Sequence, residues 1–566
     1  MALLANDIVR YMMQESFVFE EQLLADEVAA WEKSGSDKGQ IYTRPEVVEF
    51  MLDAIGLNTS EAISNARILE PSCGEGEFVV AIVDRLINRS AQRPAIEHIC
   101  DKLLAVDLVA GSLEIAKMRV SHQLENRGYS KDEISILLDH WFICADFLLE
   151  EITPNFTHVI GNPPYVRVES IPKILLAEYR KRFSTMTDRA DLYIPFYEKC
   201  LSLLKNRGRL SFICTDRWTK NVYGRALRKF INDTYGLELF IDLYGVNAFE
   251  SDVMTYPAIT QIIKCQCDQT ILKHGSSFSQ EEAQEILSAI RGESTSLHIR
   301  KAIVNGDKPW LLGASDQTAL IKKIENEFPL LEETGCKVFI GAATGSNKIY
   351  IVDSTFVGDK IEESRLLPVL TASELKSGKI TWGGRYIINT YDENGVVSLD
   401  DYPMLSHYLN LHKNELSKRH VAQKDSARWY KTIDRIYKSR AEMEKLLIPD
   451  IGNEPIVLYD RGFYYPNNSI YYICSNSWNL HALRVLLLSN ITKIFISGYS
   501  TKIANGYIRF QAQHLRKLRI PHWNDIVPEM QLRLISAGKN NDEAVFNELA
   551  CGVYNLSETE REIVGV

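Results

Sequence analysis

Four short apolar runs, each stopped by a polar or turn-forming residue, set the pattern of the first half of the chain. Ile68-Leu69 ends at Glu70, Leu103-Leu104-Ala105-Val106 at Asp107, Trp141-Phe142-Ile143-Cys144-Ala145 at Asp146, and His158-Val159-Ile160-Gly161 at Asn162. Unbroken apolar runs of this length suit strands covered on both faces, as in a parallel sheet. Between the first two runs the period changes to a helical one, through Val80, Ile82, Val83 and Leu86. The alternation predicts a doubly wound α/β sheet. Ahead of it, Ile8, Met12, Phe17 and Leu23-Leu24 space out as an amphipathic helical extension. After Cys267 the chain turns polar and helical from Gln280 to Gly292, which reads as a connector. Lys308-Pro309-Trp310 then leads into a β-rich region, and the acidic stretch from Asp542 onward reads as a peripheral tail.

Every strand of the first half delivers a polar or aromatic residue to one sheet edge, where doubly wound folds bind ligands. Gly74 and Gly76, in the turn after Arg67-Ile68-Leu69-Glu70-Pro71-Ser72-Cys73, let the backbone pass close to a ligand. Asp107 stands 33 residues beyond Gly74, against roughly 20 in a dinucleotide fingerprint; the polar stretch from Asn88 to Pro94 absorbs the excess. Its carboxylate is able to accept both hydroxyls of a ribose. Asp146-Phe147 joins an acceptor for an adenine amino group to a ring that can cover the base. Asn162-Pro163-Pro164-Tyr165 is the most informative of these endings. The Asn162 side-chain oxygen and the Pro163 carbonyl are two acceptors, the second left free because Pro164 has no N–H. Together they can draw the lone pair of an aromatic amine out of its ring, while Tyr165 stacks on the flat substrate, a contact of roughly 1–3 kcal/mol per base.

In type and order these elements resemble the gamma class of DNA adenine-N6 methyltransferases, the TaqI-like family, which use S-adenosylmethionine. Ile41-Tyr42-Thr43-Arg44-Pro45-Glu46-Val47-Val48 looks like the family's N-terminal cofactor motif, with Arg44 where a proline is usual. Glu70 to Phe78 looks like its glycine-rich motif, and Asp107, Asp146-Phe147 and Asn162 to Tyr165 follow. Asp191-Leu192-Tyr193-Ile194-Pro195-Phe196, the strand Gly208-Arg209-Leu210-Ser211-Phe212-Ile213 and Asp242-Leu243-Tyr244-Gly245-Val246-Asn247-Ala248-Phe249 complete the set, over about residues 40 to 265. The resemblance implies that Glu70 holds the methionine amino group and Asp107 the ribose. It implies that Thr43, Ser72, Gly74, Leu108, Asp146, Phe147 and Pro164 line the rest of the cofactor pocket. Asn162, Pro163, Tyr165 and Phe249 then form the catalytic set, with Phe249 opposite Tyr165 across a flipped base. No metal is implied, because the sulfonium donor is already activated.

A looser likeness to the family's C-terminal specificity domain spans roughly 300 to 525. It rests on Val338-Phe339-Ile340-Gly341-Ala342-Ala343-Thr344-Gly345, on Leu366-Leu367-Pro368-Val369-Leu370-Thr371, and on Leu447-Ile448-Pro449-Asp450-Ile451 with its continuation to Tyr465-Pro466-Asn467. The expected organisation is a helical extension over 1–40, a Rossmann-like methyltransferase domain over 41–267 and a connector over 268–300. An α+β target-recognition domain over 301–525 and a helical tail over 526–566 follow.

At 566 residues, 45% hydrophobic and 24% charged, the composition is that of an ordinary soluble globular chain. Ten cysteines without a CxxC pair exclude a zinc site or disulfide framework and indicate a reducing cytoplasm. No apolar run approaches the about 20 residues of a membrane span, and the first residues lack the basic opening of a signal peptide. A net charge of −10 argues against a nucleic-acid partner until its distribution is read. Ten Lys or Arg stand against five Asp or Glu from Lys413 to Lys445, with Trp429, Tyr430 and Tyr437 interleaved; Thr501 to Arg519 adds five cations and no acid. These two segments predict a phosphate-binding surface, with Lys424, Arg428, Arg435, Lys438 and Arg509 as candidate DNA contacts.

The expected activity is site-specific methylation of adenine N6 in double-stranded DNA, by a monomeric modification enzyme working beside a separately encoded restriction endonuclease. An N-methyltransferase acting on RNA or on protein glutamine is one alternative, and a specificity subunit with an inert methyltransferase half is another. A built-in nuclease is disfavoured: Pro449-Asp450 and Glu454 are followed by Ile456 where metal-dependent cleavage needs a lysine.

Overall fold

Alternate residues of the apolar runs face opposite sides of a single sheet. Ile68, Ala105 and Ile160 enter one core cluster, together with Phe78, Val79, Ile82 and Val83. Leu69, Val106 and Val159 enter the other, with Phe147, Tyr193, Phe196 and Trp218. The computed structural model describes residues 24–31, 41–88, 92–243, 246, 248–249, 257–274, 279–293, 298–301, 306–313, 315–452, 455–500 and 508–566. Ile8, Met12, Phe17, Leu23, Tyr244, Gly245, Asn247, Glu454 and Lys502 lie outside them. The chain forms two units, Met1–Ser315 and Asp316–Val566.

In the first unit the strands are β1 (Ile68–Glu70), β2 (Leu103–Asp107), β3 (Phe142–Cys144), β4 (Phe156–Gly161), β5 (Leu204–Thr215), β6 (Gly236–Asp242), β7 (Pro257–Ile263), β8 (Gln269–His274) and β9 (His298–Lys301). Their order across the sheet is β3-β2-β1-β4-β5-β7-β6-β8-β9. The first five run parallel, and β7 inserts antiparallel between β5 and β6. Chain order reverses between β1 and β4, the switch point where such sheets open a ligand crevice. The helices are α1 (24–31), α2 (Pro45–Ala54), α3 (Ser60–Ser64), α4 (Glu77–Asn88), α5 (Ala110–Asn126), α6 (Lys131–Trp141), α7 (Lys173–Arg182), α8 (Tyr193–Leu203), α9 (Arg225–Thr234) and α10 (Gln280–Ile290).

Arg44, the departure from the family's proline, is an extended residue ahead of α2, whose first position is Pro45. Its N–H donates to the Ala248 carbonyl at 3.1 Å and its Nε to the Phe249 carbonyl at 3.1 Å. The arginine thereby fastens the segment carrying Phe249 to the N-terminal motif.

The described residues of 268–300, a span expected as a connector, continue the first unit instead. β8 and β9 extend the sheet, and α10 buries Ile286, Leu287 and Ala289 in its first core cluster. A polar face and a Ser279/Glu282 capping box make α10 look self-sufficient in sequence, and its apolar stripe is what docks it. Trp310 is also interior, its ring 5.0 Å from Trp218.

The second unit is α+β. One antiparallel sheet orders Cys336–Ile340, Ile470–Ser475, Lys445–Pro449 and Leu458–Asp460; a mixed sheet orders Ile351–Asp353, Arg385–Ile388, Leu366–Leu370 and Tyr465–Pro466, the last pair parallel. The tail from Asp542 onward is not peripheral: Phe546, Leu549, Ala550, Cys551 and Tyr554 are buried. Arg484 donates to the Gly538 carbonyl and Asn490 to the Val564 carbonyl, tying the final helices to Leu480–Leu488 and its successor. Among the described residues no single helix is long and apolar enough to cross a membrane; Leu480–Leu488 and Asn490–Tyr499, which together pass on composition, bend by 63° and bury their apolar residues inside the unit.

Lys445, counted above in the basic run, is wholly buried. Its ammonium lies 2.9 Å from the buried Asp460 carboxylate and also donates to the Ala441 and Met443 carbonyls. Asp460 in turn accepts the N–H groups of Gly462, Phe463 and Tyr464. Removing one partner strands the other charge, so Lys445→Ala is expected to cost about 3–5 kcal/mol. Urea unfolding of the variant checks this, and an unchanged midpoint would contradict it.

Candidate active site

The carboxyl ends of β1, β2, β3 and β4 surround one open-mouthed cavity. Thr43, Glu70, Ser72, Gly74, Asp107, Leu108, Asp146, Phe147, Pro164 and Asn162 all line it. The turn after β1 is shaped by two left-handed glycines, Gly74 at φ +52° and Gly76 at φ +93°; a side chain at Gly76 would press on Ala116 of α5 at 3.0 Å. Asp107 locks this turn from the neighbouring strand. One carboxylate oxygen accepts the Gly74 N–H and the other the Val109 N–H, each at 2.8 Å.

Glu70 is buried, and its Oε2 has no hydrogen-bond partner among the described residues. Burial first, then the nearby Glu77 and Asp107 carboxylates, hold its pKa well above the ordinary value. Glu77 shares its charge with Arg119 at 3.0 Å, which leaves the Glu70 end acidic and uncompensated. A buried, unpaired acceptor beside further carboxylates is a site for a cationic group.

The other end of the cavity is apolar and aromatic. The Phe147 and Phe196 ring centroids lie 5.1 Å apart, with Trp31, Leu148, Val166 and Leu192 around them. Asp146 is not a free acceptor: Tyr179 donates to one oxygen and the Leu148 N–H to the other. Burial raises its pKa and the Tyr179 hydroxyl opposes the rise. Behind it, Lys199 donates to the Phe147 and Glu150 carbonyls, and burial pulls its ammonium down to about 8.

Asn162 has a single usable orientation. Its Nδ2 donates to the Ile41 carbonyl at 2.8 Å and to Thr43 Oγ1 at 3.3 Å, while its Oδ1 is buried without a partner among the described residues. Its backbone carbonyl accepts from the Ser72 hydroxyl at 3.2 Å, joining the β4 turn to the β1 turn. Among the described residues no N–H donates to the Pro163 carbonyl. Tyr165 donates to the Ile213 carbonyl at 3.3 Å. Its ring meets Phe249 edge to face, centroids 6.4 Å apart and planes at 83°. Phe249 itself pairs with Thr43 in a bridge across the N-terminal motif. Pro163, Tyr165 and Phe249 adjoin the cavity without lining it.

Residues 98–249 match the Eco57I restriction-modification methylase family, and residues 367–520 the TaqI-like C-terminal specificity domain. The type II methyltransferase M.XhoI of Xanthomonas vasicola is 41% identical over 551 residues, covering 93% of this chain and 99% of that protein. The chain belongs to the type II restriction-modification methyltransferases. Among its relatives in that family, M.PaeR7I of Pseudomonas aeruginosa is 40% identical, covering 96% of each chain. The type IIL enzyme MmeI, solved in complex with DNA, shares the fold at a TM-score of 0.59 and 12% identity, over 92% of this chain and 76% of that one.

The specificity domain of this type II methyltransferase carries the remaining sequence-derived candidates. Lys424, Arg428 and Lys438 are exposed. Arg435 is half-buried and spends its guanidinium on the Asp392 and Glu393 carbonyls at 2.8 Å. Arg509 lies on the strand Ile508–Arg509, paired with Ile451–Gly452. Trp429 and Tyr430, read as interleaved surface aromatics, are core residues. Arg419 likewise ties the Thr344, Trp429 and Lys431 carbonyls together. Sequence reasoning also missed Trp31, Glu77, Tyr179 and Phe196 as cavity residues. Glu77, inside the glycine-rich motif, and Phe196, inside a later family element, carried a usable signal; Trp31 and Tyr179 reach the site from helices far from it in sequence.

Proposed function

We propose that the chain methylates the N6 amine of an adenine flipped out of duplex DNA, drawing the methyl group from S-adenosylmethionine. The observation that carries this reading is Asn162: an amide tethered through its nitrogen, with its oxygen buried and unpartnered at the cavity wall. The cavity fits the cofactor on its own terms. Glu70 suits the cationic methionine amine, the Asp107 carboxylate at the end of β2 suits ribose hydroxyls, and the Phe147/Phe196 end suits a purine ring. When bound, S-adenosylmethionine supplies a methyl group already activated by its sulfonium.

The protein's residues do the rest. Asn162 Oδ1 and the Pro163 carbonyl accept the two N–H bonds of the substrate amine, restore its lone pair and stabilise the charge that develops on nitrogen. No side-chain base is needed with such an electrophile, and the nearest histidine in sequence, His158, is pulled down to about 4 by burial. Tyr165 and Phe249 flank the base, which requires Phe249 to turn from its present edge-on packing. Stacking offsets the few kcal/mol that extrusion costs. The reading includes a monomeric cytoplasmic enzyme acting on double-stranded DNA, beside a separately encoded endonuclease of the same site.

2-Aminopurine at the target position tests the extrusion. Its fluorescence is expected to rise several-fold on binding to the enzyme and not when the analogue stands one step away; equal, unchanged signals would refute flipping. Charge reversal at Lys424 and Arg428 is expected to lower the salt slope of DNA binding by about one unit per lost phosphate contact. An unmoved slope in filter-binding titrations would take these residues off the phosphate surface.

A further inference from the structure

Arg440 is held in place by stacking, and its guanidinium bonds no carboxylate or carbonyl among the described residues. The group lies 4.8 Å from the Phe339 centroid and 4.3 Å from that of Tyr437, and Phe339 is stacked in turn on Tyr472. The backbone is fixed as well, with the Arg440 N–H donating to the Tyr437 carbonyl at 3.0 Å. The polar side chains facing the guanidinium include the Tyr465 and Tyr472 hydroxyls, both kept neutral by burial. Arg435 and Arg419, in the same basic run, bond backbone carbonyls instead. Tyr437 and Lys438 beside Arg440 are exposed.

A planar fork whose rotamer freedom is already lost is matched to a rigid, coplanar pair of acceptors. In duplex DNA that pair is O6 and N7 of guanine in the major groove. Phosphates present acceptors on a tetrahedron, and the exposed Lys424 and Arg428 suit them without any preorganisation. We propose that Arg440 reads a guanine of the target sequence. The inference rests on the reading above that the substrate is duplex DNA, and it adds a determinant of which site is chosen.

The test uses the full-length enzyme and the recognition site found by sequencing DNA that it has modified. Each guanine of that site is replaced in turn by 7-deazaguanine, which lacks the N7 acceptor, and binding is measured by competition. At one position the wild type is expected to lose about tenfold in affinity, and Arg440→Lys less than twofold. Tyr437→Leu, which removes one exposed plate but keeps the arginine, is expected to shrink the same discrimination. A site without guanine, a wild type indifferent to every replacement, or equal losses in wild type and both variants each overturns the proposal. So does an Arg440→Lys that binds all duplexes uniformly more weakly with a shallower salt slope, since that marks a phosphate contact. Tyr437→Leu decides the matter if Arg440→Lys fails to fold. These are binding measurements, so a product other than N6-methyladenine would overturn the proposed function and leave Arg440 to be judged separately.

Discussion

Asn162→Ala is expected to slow methyl transfer by about two to three orders of magnitude while S-adenosylmethionine affinity changes only a few-fold. The magnitude is that of removing one preorganised polar group from a developing charge. It falls on the chemical step because Asn162 Oδ1 has no structural partner to lose; its Nδ2 contacts to Ile41 and Thr43 position it. Asn162→Asp separates the roles further. It keeps the acceptor and loses the donor that fixes orientation, so part of the rate should return. Single-turnover kinetics with saturating cofactor, alongside calorimetric binding, resolve the two effects. A variant that binds cofactor normally and turns over at the wild-type rate would remove Asn162 from the chemistry.

Glu70→Gln is expected to weaken cofactor binding about 10- to 100-fold, the worth of a charge-assisted hydrogen bond, and to stabilise the cofactor-free protein. Both follow from one observation, a buried carboxylate with one oxygen unpartnered among the described residues, whose pKa stands above its ordinary value of 4.5. In the free protein the folded state binds this proton more tightly than the unfolded chain. The penalty of the ionised form is therefore fully present at high pH, and it is relieved as pH falls through the raised folded pKa toward 4.5. Cofactor affinity runs the opposite way, because protonation removes the charge that the methionine amine pairs with. Acidification should weaken binding by the wild type across that window and leave Glu70→Gln flat. Thermal unfolding without cofactor should show the variant more stable at pH 8, by on the order of 1 kcal/mol. A variant that is less stable and binds as tightly would contradict the assignment.

The sheet and its crevice were legible because their signals are local. Ile68 to Glu70, Leu103 to Asp107 and His158 to Asn162 are apolar runs ending in a residue that either turns the chain or bonds a ligand. The residues named for the cofactor pocket accordingly line one cavity. What escaped depends on contacts between distant positions. Tyr179 claims an Asp146 oxygen across 33 residues, and nothing near either residue announces the pair. Lys445 read as a surface cation because its partner, Asp460, and the carbonyls beneath it come together only in the folded sheet. Trp429 and Tyr430 sat among charges that suggested a stacking surface, yet both fill a core. The connector failed for a different reason: α10 has a well-capped, polar face, and its docking stripe of Ile286, Leu287 and Ala289 is short. The same limits explain Arg440, whose rings Phe339 and Tyr437 lie far apart in sequence.

Nucleoside mass spectrometry of duplex DNA incubated with the enzyme and methyl-labelled S-adenosylmethionine is the most direct measurement. An acceptor pair built from Asn162 and Pro163, serving a purine between Tyr165 and Phe249, predicts label in N6-methyl-2′-deoxyadenosine and its loss in Asn162→Ala. Label in a methylated cytosine, or in no nucleoside at all, would contradict it.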